Sequence, residues 1–354
     1  MRSITHKISI PSIVKIEKGS FDLIGDILID DNIERVIIII DQNMHNILSE
    51  RIDKQFKKIK IEFSFLIVDT NLSLRKLSKT AYNLDNKTQL LLGIGGGSII
   101  DRTKYISYLR KIPWISIPTS PSNDGISSPL SSLYIDNKRV SVPAKMPYGI
   151  IIDTNIIMNS PYHMIMSGIG DSVSNITAVY DMELESKHTR NQKDDFSVIF
   201  SLQSISSLMG LPIMNVRSEK FIESLLTSLV MSGIAMEMSG TSKPSSGSEH
   251  LISHAIDQVL EINNYPHGIQ VGLSTYIVSR VQENCSKEIN MFFTKTGFWE
   301  YVEELKIKKS VIVEAIKLAP FIKENRYTIL SNQEYIDKAI RILDEDEYLK
   351  RVLF

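Results

Sequence analysis

Gln89-Leu90-Leu91-Leu92-Gly93-Ile94-Gly95-Gly96-Gly97-Ser98-Ile99-Ile100-Asp101 is the stretch on which the fold turns. An apolar run, Gln89–Gly93, passes through a cluster of glycines into a helical stretch, Gly97–Leu109. Glycine lets a backbone approach a bulky anion closely, and a helix start offers N–H groups and the positive end of the helix dipole. The spacing differs from the usual dinucleotide fingerprint, so the segment reads either as a phosphate-binding turn or as a plain strand-to-helix turn.

Outward from this turn the same rhythm repeats. Arg35–Asp41 is a continuous β-branched run, as expected of a strand covered on both faces. Ile61–Asp69 and Trp114–Pro118 are further strands, with helical stretches at Gln42–Lys54 and Ser73–Asn83. Ser131–Ile135 and Arg139–Val142 flank Asp136–Lys138 as a hairpin, and Gly149–Asp153 adds a strand. Alternating strands and helices predict a parallel, doubly wound sheet. Beyond Asp153 helical periodicity takes over at Met164–Glu183, Asp194–Met209, Lys220–Met238, Ser248–Leu260 and Val311–Ile322. The expected architecture is an α/β nucleotide-binding domain over residues 1–153 and an all-α domain over residues 154–354.

Composition narrows the functions. The 354 residues carry 40 Lys and Arg against 41 Asp and Glu, a formal charge of −1, which gives no general field for nucleic acid or an anionic membrane. With 43% hydrophobic and 23% charged residues the composition is that of a globular enzyme. Cys285 is the only cysteine, so no intrachain disulfide forms and any metal must be held mainly by His, Asp or Glu. No signal-like segment or bilayer-length apolar run is read, and a cytoplasmic protein is expected.

Three more segments carry chemistry. Thr119-Ser120-Pro121-Ser122-Asn123-Asp124-Gly125 follows a strand at the end where open α/β sheets bind ligands, although an ordinary polar loop has the same composition. His250 and His254, four apart, share one helical face. With His267 and Asp171 they supply one carboxylate and up to three imidazoles, a thiolate-free set suited to zinc or a related ion; solvated or packed histidines are the commoner case for each alone. His6, His45, His163 and His188 lack partnered spacing and read as surface or packing residues. Asp41, closing its strand, either accepts a ribose 2′-hydroxyl or caps the next helix.

Taken in order, GIGGGSIID (93–101), IPTSPSNDGISSP (117–129), SGIGDSVSN (167–175), SGTSKPSSGSEHLISHAID (239–257) and HGIQVG (267–272) resemble the sn-glycerol-1-phosphate dehydrogenase family. That family lies within the larger group of iron-containing alcohol dehydrogenases, glycerol dehydrogenases and dehydroquinate synthases. The likeness runs from Phe21–Leu28 to Asn325–Leu330, and SNDGISSP and SGSEHxxSH are its discriminating stretches. It implies a dehydroquinate synthase-like fold and reduction of dihydroxyacetone phosphate to sn-glycerol 1-phosphate. The implied cofactors are NAD or NADP and Zn2+, Ni2+ or Fe2+, and a homo-oligomer is expected. By resemblance the cofactor pyrophosphate lies on the glycine turn, with Gly95, Gly96, Gly97, Ser98, Ile99, Ile100 and Asp101 as contacts, joined by Thr119, Ser120, Pro121, Ser122 and Ser128. Asp171, His250 and His267 resemble metal ligands; Asp124, Asp171 and His254 resemble substrate contacts, with Asp171 and His254 catalytic. Two positions depart from the pattern. Lys243 stands where arginine is expected, and Ile269 where an acidic residue is common, which bears on the surroundings of His267. The rival readings are a dehydrogenase of unphosphorylated glycerol or another polyol, a dehydroquinate synthase-like cyclase, and a non-catalytic nucleotide-binding protein.

Overall fold

A computed structural model of the chain describes residues 9–69, 73–135, 138–189, 194–212, 215–260, 265–323 and 325–354. It divides into two compact units, one running to Pro121 and including Gly125–Ser160, the other made of Ser122–Asp124 and Pro161–Phe354.

The first unit is built on strands β1 (Ile13–Glu17), β2 (Arg35–Ile40), β3 (Glu62–Ile67), β4 (Leu90–Gly95), β5 (Trp114–Pro118) and β8 (Gly149–Asp153), in the order β1-β8-β5-β4-β2-β3. Every neighbouring pair is parallel. Its helices are α1 (Ile24–Asp30), α2 (Gln42–Lys58), α3 (Leu74–Tyr82), α4 (Gly97–Arg110) and α5 (Thr154–Met158). The β-branched run of β2 explains the layering. Val36, Ile38 and Ile40 point into a core with Leu28 of α1 and Leu48, Ile52 and Phe56 of α2. Ile37 and Ile39 point the other way, onto Leu77 of α3 and Ile100 and Ile106 of α4. Alternate residues of one strand thus feed two cores, which is why no polar position interrupts it. Strands β6 (Leu130–Ile135) and β7 (Lys138–Pro143) form a separate antiparallel hairpin; positions 136 and 137 of the expected turn lie outside the described residues, as does His6.

From β2 the chain moves outward to β3, then returns past β2 to β4. The winding therefore reverses between β2 and β4, and the crevice at the carboxyl ends of these two strands is the usual ligand position in such sheets. Asp41 follows β2 and the Gly95–Gly97 turn closes β4.

The second unit is helical: α6 (Tyr162–Val173), α7 (Asn175–Thr189), α8 (Asp195–Met209), α9 (Glu219–Ser239), α10 (Ser248–Val259), α11 (His267–Gln282), α12 (Ser286–Thr296), α13 (Phe298–Glu304), α14 (Lys309–Leu318), α15 (Gln333–Glu345) and α16 (Glu347–Val352). Among the described residues α9 alone is long and apolar enough to cross a membrane, a match that the sequence reading passed over. Its Phe221, Ile222, Leu225, Leu226 and Leu229 are buried in the core of this unit.

Two expectations need correction, and one strand went unread. The single helix expected over Met164–Glu183 is two, because Ser174 turns the chain: its hydroxyl donates to the Asp171 and Ser245 carbonyls, and its own carbonyl starts α7 by accepting from Ala178 N–H. The helix expected over Val311–Ile322 ends at Leu318 and tightens into a 3-10 turn at Ala319–Phe321, since Pro320 brings no N–H to continue it. Strand β1 escaped notice because it is an edge strand with exposed Val14 and Glu17 and a half-buried Lys15 between them, and its partner β8 is far along the chain.

Candidate metal centre and nucleotide turn

Two helices approach unusually closely in the second unit, and glycine is the reason. A Cβ at Gly268 of α11 would stand 1.9 Å from the Ser167 carbonyl oxygen, and one at Gly170 of α6 would stand 2.1 Å from the Gly268 carbonyl oxygen. A Cβ at Gly272 would reach Gly170 Cα at 2.7 Å. Only hydrogen fits at these positions. Ser167 Oγ accepts from Gly268 N–H at 3.1 Å and donates to the Ser122 carbonyl at 2.9 Å, tying the segment 122–124 to the same seam.

This seam brings Asp171, near the end of α6, up to His267, the first residue of α11. His250, in the first turn of α10, completes the group: one ligand atom from each residue lies within 4.8 Å of the others. Asp171 Oδ1 is 3.8 Å from His250 Nε2 and 4.0 Å from His267 Nε2. Its other oxygen accepts from Asp124 N–H at 2.9 Å, while Asp124 Oδ2 accepts from Ser232 Oγ at 2.9 Å. Asp171 is 3% exposed and His250 9%. A carboxylate and two imidazoles facing one another at this depth call for a proton or a cation among them.

The far side of each imidazole is engaged. His250 Nδ1 lies 3.0 Å from Oε1 of the fully buried Glu249, whose Oε2 accepts from Thr177 Oγ1 at 2.8 Å. His267 Nδ1 lies 3.0 Å from Ser253 Oγ. Metal-ligating histidines are normally held this way, with the distal nitrogen bonded and the proximal one bare. The donor set therefore fits a divalent ion with room for a substrate oxygen. His254 is not in the group of three. One turn further along α10, its ring centroid is 5.9 Å from that of His267.

Sequence reasoning missed Glu249, Ser253 and Gln270. The only signal for Glu249 was its place next to His250, and the other two look like ordinary helix residues. It also missed Asp181. This wholly buried carboxylate accepts from Ser248 N–H at 2.7 Å, Ile329 N–H at 2.9 Å and Gln282 Nε2 at 3.3 Å, anchoring the start of α10. Burial and the neighbouring Glu249 charge push its pKa up to about 7. Arg326 of the Asn325–Leu330 segment donates to the Ser246 carbonyl and to Ser242 Oγ. Lys243, the first departure, pairs with Glu185. Ile269, the second, is fully buried, and the partner of His267 is Ser253 instead.

In the first unit Gly96 caps α4 with extended backbone and no side-chain cap. A Cβ there would sit 3.6 Å from Ser120 Oγ, and Thr119 N–H donates to the Gly95 carbonyl at 3.0 Å, so the glycine turn and the Thr119–Ser120 loop are neighbours. Ser98 accepts from Arg102 through its hydroxyl and carbonyl. Ile99 and Ile100 bury their side chains in the core, and their N–H groups bond the Gly96 carbonyl. Asp101 and Ser128 meet at the buried amine of Lys104, at 3.3 and 3.2 Å. Pro121 and Ser122 are buried, and Ser122 belongs with the second unit. Asp41 does cap α2, accepting from Met44 N–H at 2.9 Å.

Residues 15–161 match the family described as iron-containing alcohol dehydrogenase. The chain is 36% identical over 331 residues to a protein named glycerol-1-phosphate dehydrogenase [NAD(P)+] from Metallosphaera sedula, covering 93% of both chains. A protein of the same name from Methanococcus aeolicus is 33% identical, over 97% of this chain and all of that one. Among solved structures, glycerol dehydrogenase from Schizosaccharomyces pombe superposes with a TM-score of 0.76 at 20% identity, covering 98% of this chain and 92% of that one. Sulfoacetaldehyde reductase from Bifidobacterium kashiwanohense, solved with NAD+, gives 0.74 at 13%, over 98% of this chain and 100% of that one. These two share the dehydroquinate synthase-like fold. Identity above 30% along nearly the whole length carries more: the chain belongs to the glycerol-1-phosphate dehydrogenase family.

Proposed function

We propose that this protein interconverts dihydroxyacetone phosphate and sn-glycerol 1-phosphate, with NAD or NADP bound at Gly95–Ser98 and a divalent ion held by Asp171, His250 and His267. The observation that carries the reading is the facing of the two His Nε2 atoms onto Asp171 Oδ1. The likeness to the relatives named above supplies the substrate. In this reading residues 1–153 bind the nucleotide and residues 154–354 the metal and substrate, with Thr119, Ser120, Pro121, Ser122, Ser128 and Asp41 as further nucleotide contacts.

When bound, the ion polarises the ketone oxygen and the reduced nicotinamide supplies the hydride. The chain does the rest. Asp124 N–H fixes one oxygen of Asp171 so that the other faces both histidines. Glu249 holds His250 and adds negative charge behind it. His254, outside the ligand group, supplies the proton by which the former ketone oxygen becomes the product hydroxyl, and Asp124 contacts substrate. Buried walls around Asp171 and His250 limit water.

A homo-oligomer is supported by the exposed apolar stripe Phe196, Ile199 and Leu202 on α8, and light scattering tests it. The single Cys285 and the nucleotide requirement support a place in the cytoplasm. The decisive experiment compares dihydroxyacetone phosphate with dihydroxyacetone, using NADH and NADPH, before chelation, after it, and after zinc is returned. Turnover of the phosphate alone, lost and regained with metal, is expected. Equal turnover of dihydroxyacetone would move the protein to the polyol dehydrogenases.

A further inference from the structure

The surroundings of His267 settle the position of each proton by elimination. Both hydrogens of the Gln270 amide nitrogen have acceptors, Asp257 Oδ1 at 3.2 Å and the Tyr265 carbonyl at 3.0 Å. The amide therefore cannot turn over, and its oxygen faces Ser253 Oγ at 3.0 Å. A carbonyl oxygen only accepts, so the single hydroxyl hydrogen of Ser253 is committed to Gln270. Ser253 Oγ is left as an acceptor toward His267 Nδ1, also at 3.0 Å. Nδ1 must then carry the proton, and the lone pair of the neutral ring lies on Nε2, the atom facing Asp171.

We infer that Gln270, acting through Ser253, is a positioning residue that fixes His267 in the Nδ1–H tautomer and so prepares Nε2 to bind a metal. The inference rests on the metal reading above, and it explains how the site tolerates Ile269. The task elsewhere given to a carboxylate, as Glu249 does for His250, falls here to a neutral amide and a hydroxyl borne on α11 and α10. The two ligands thus differ: a carboxylate stands behind His250, whereas a hydroxyl and an amide orient His267.

Two measurements on the full chain test this. In metal-free protein at a pH where the imidazole is neutral, long-range 15N–1H correlation spectra report the tautomer of His267 directly. Nδ1–H is expected in the parent, and a mixture in Ser253→Ala and in Gln270→Met. Nε2–H in the parent overturns the inference, whatever the metal affinity. Zinc affinity, read by competition with a chromophoric chelator, should fall roughly tenfold to a hundredfold in both variants. Ser253→Thr, which keeps the hydroxyl, should retain parental affinity, a rescue that a purely packing role would not give. Variants that bind zinc as tightly as the parent overturn the inference while leaving the metal reading intact. A parent that binds no zinc overturns the metal reading, and with it the purpose assigned to Gln270.

Discussion

The proposed nucleotide turn and the proposed metal centre are built on opposite plans. The turn uses main chain from one continuous segment, Gly95–Ser98, where a strand hands over to a helix. The metal centre uses side chains from three helices, and its outer ligands, Asp171 and His267, lie 96 positions apart in the chain. A backbone site is specified locally by residues that leave the main chain accessible. A side-chain site is specified by packing, so the residues that matter most to it include glycines with no chemistry of their own.

Gly268→Ala should show this most sharply. Its Cβ would lie 1.9 Å from the Ser167 carbonyl, so α6 and α11 must part. A loss of about 1–3 kcal/mol of stability is expected together with loss of bound zinc. Gly96→Ala in the other unit meets nothing closer than 3.6 Å and should lose less stability, since it gives up only a glycine cap. If Gly268→Ala melts normally and keeps its metal, the close seam is not what holds the ligands together.

Within the metal centre, His250→Ala should lose metal and turnover together. His254→Ala should keep metal and lose turnover or substrate affinity. Elemental analysis alongside kinetics decides; metal retained by the first variant and lost from the second would exchange the two roles. In the proposed nucleotide turn, Gly96→Val should weaken nicotinamide nucleotide binding roughly tenfold, the equivalent of about 1.4 kcal/mol. Unaltered binding in a calorimetric titration would place the pyrophosphate elsewhere.

The smallest effect belongs to Asp41. Asp41→Ala removes an observed helix cap and should cost about 1 kcal/mol. A nucleotide role adds a shift of the NADPH to NADH ratio toward NADPH. Loss of stability with no shift confines Asp41 to capping.

These contrasts also explain what the sequence could convey. Strand Arg35–Ile40 announces itself because both faces are buried and no polar residue breaks the run after Arg35; in Trp114–Pro118 only the buried Ser116 interrupts it. The glycine turn reads from one segment for the same local reason. Asp171, His250 and His267 came from family motifs, and only folding shows that their atoms converge. Glu249, Ser253 and Gln270 stayed hidden because a hydrogen-bond chain between α10 and α11 has no sequence spacing of its own. Ser174, which divides α6 from α7, was invisible because one of its carbonyl partners, Ser245, comes from tertiary contact.

The anchoring of α10 has a consequence for synthesis. The six-stranded sheet has all its members once Asp153 has left the ribosome. The turn that carries His250 is held from much later in the chain, by Arg326 on Ser246 and by Ile329 on Asp181, which in turn holds Ser248. The glycine turn can therefore mature on a nascent chain, whereas Asp171, His250 and His267 reach their final frame only after residue 329 emerges. A chain stalled before that point would bear a finished sheet and an unfinished metal centre.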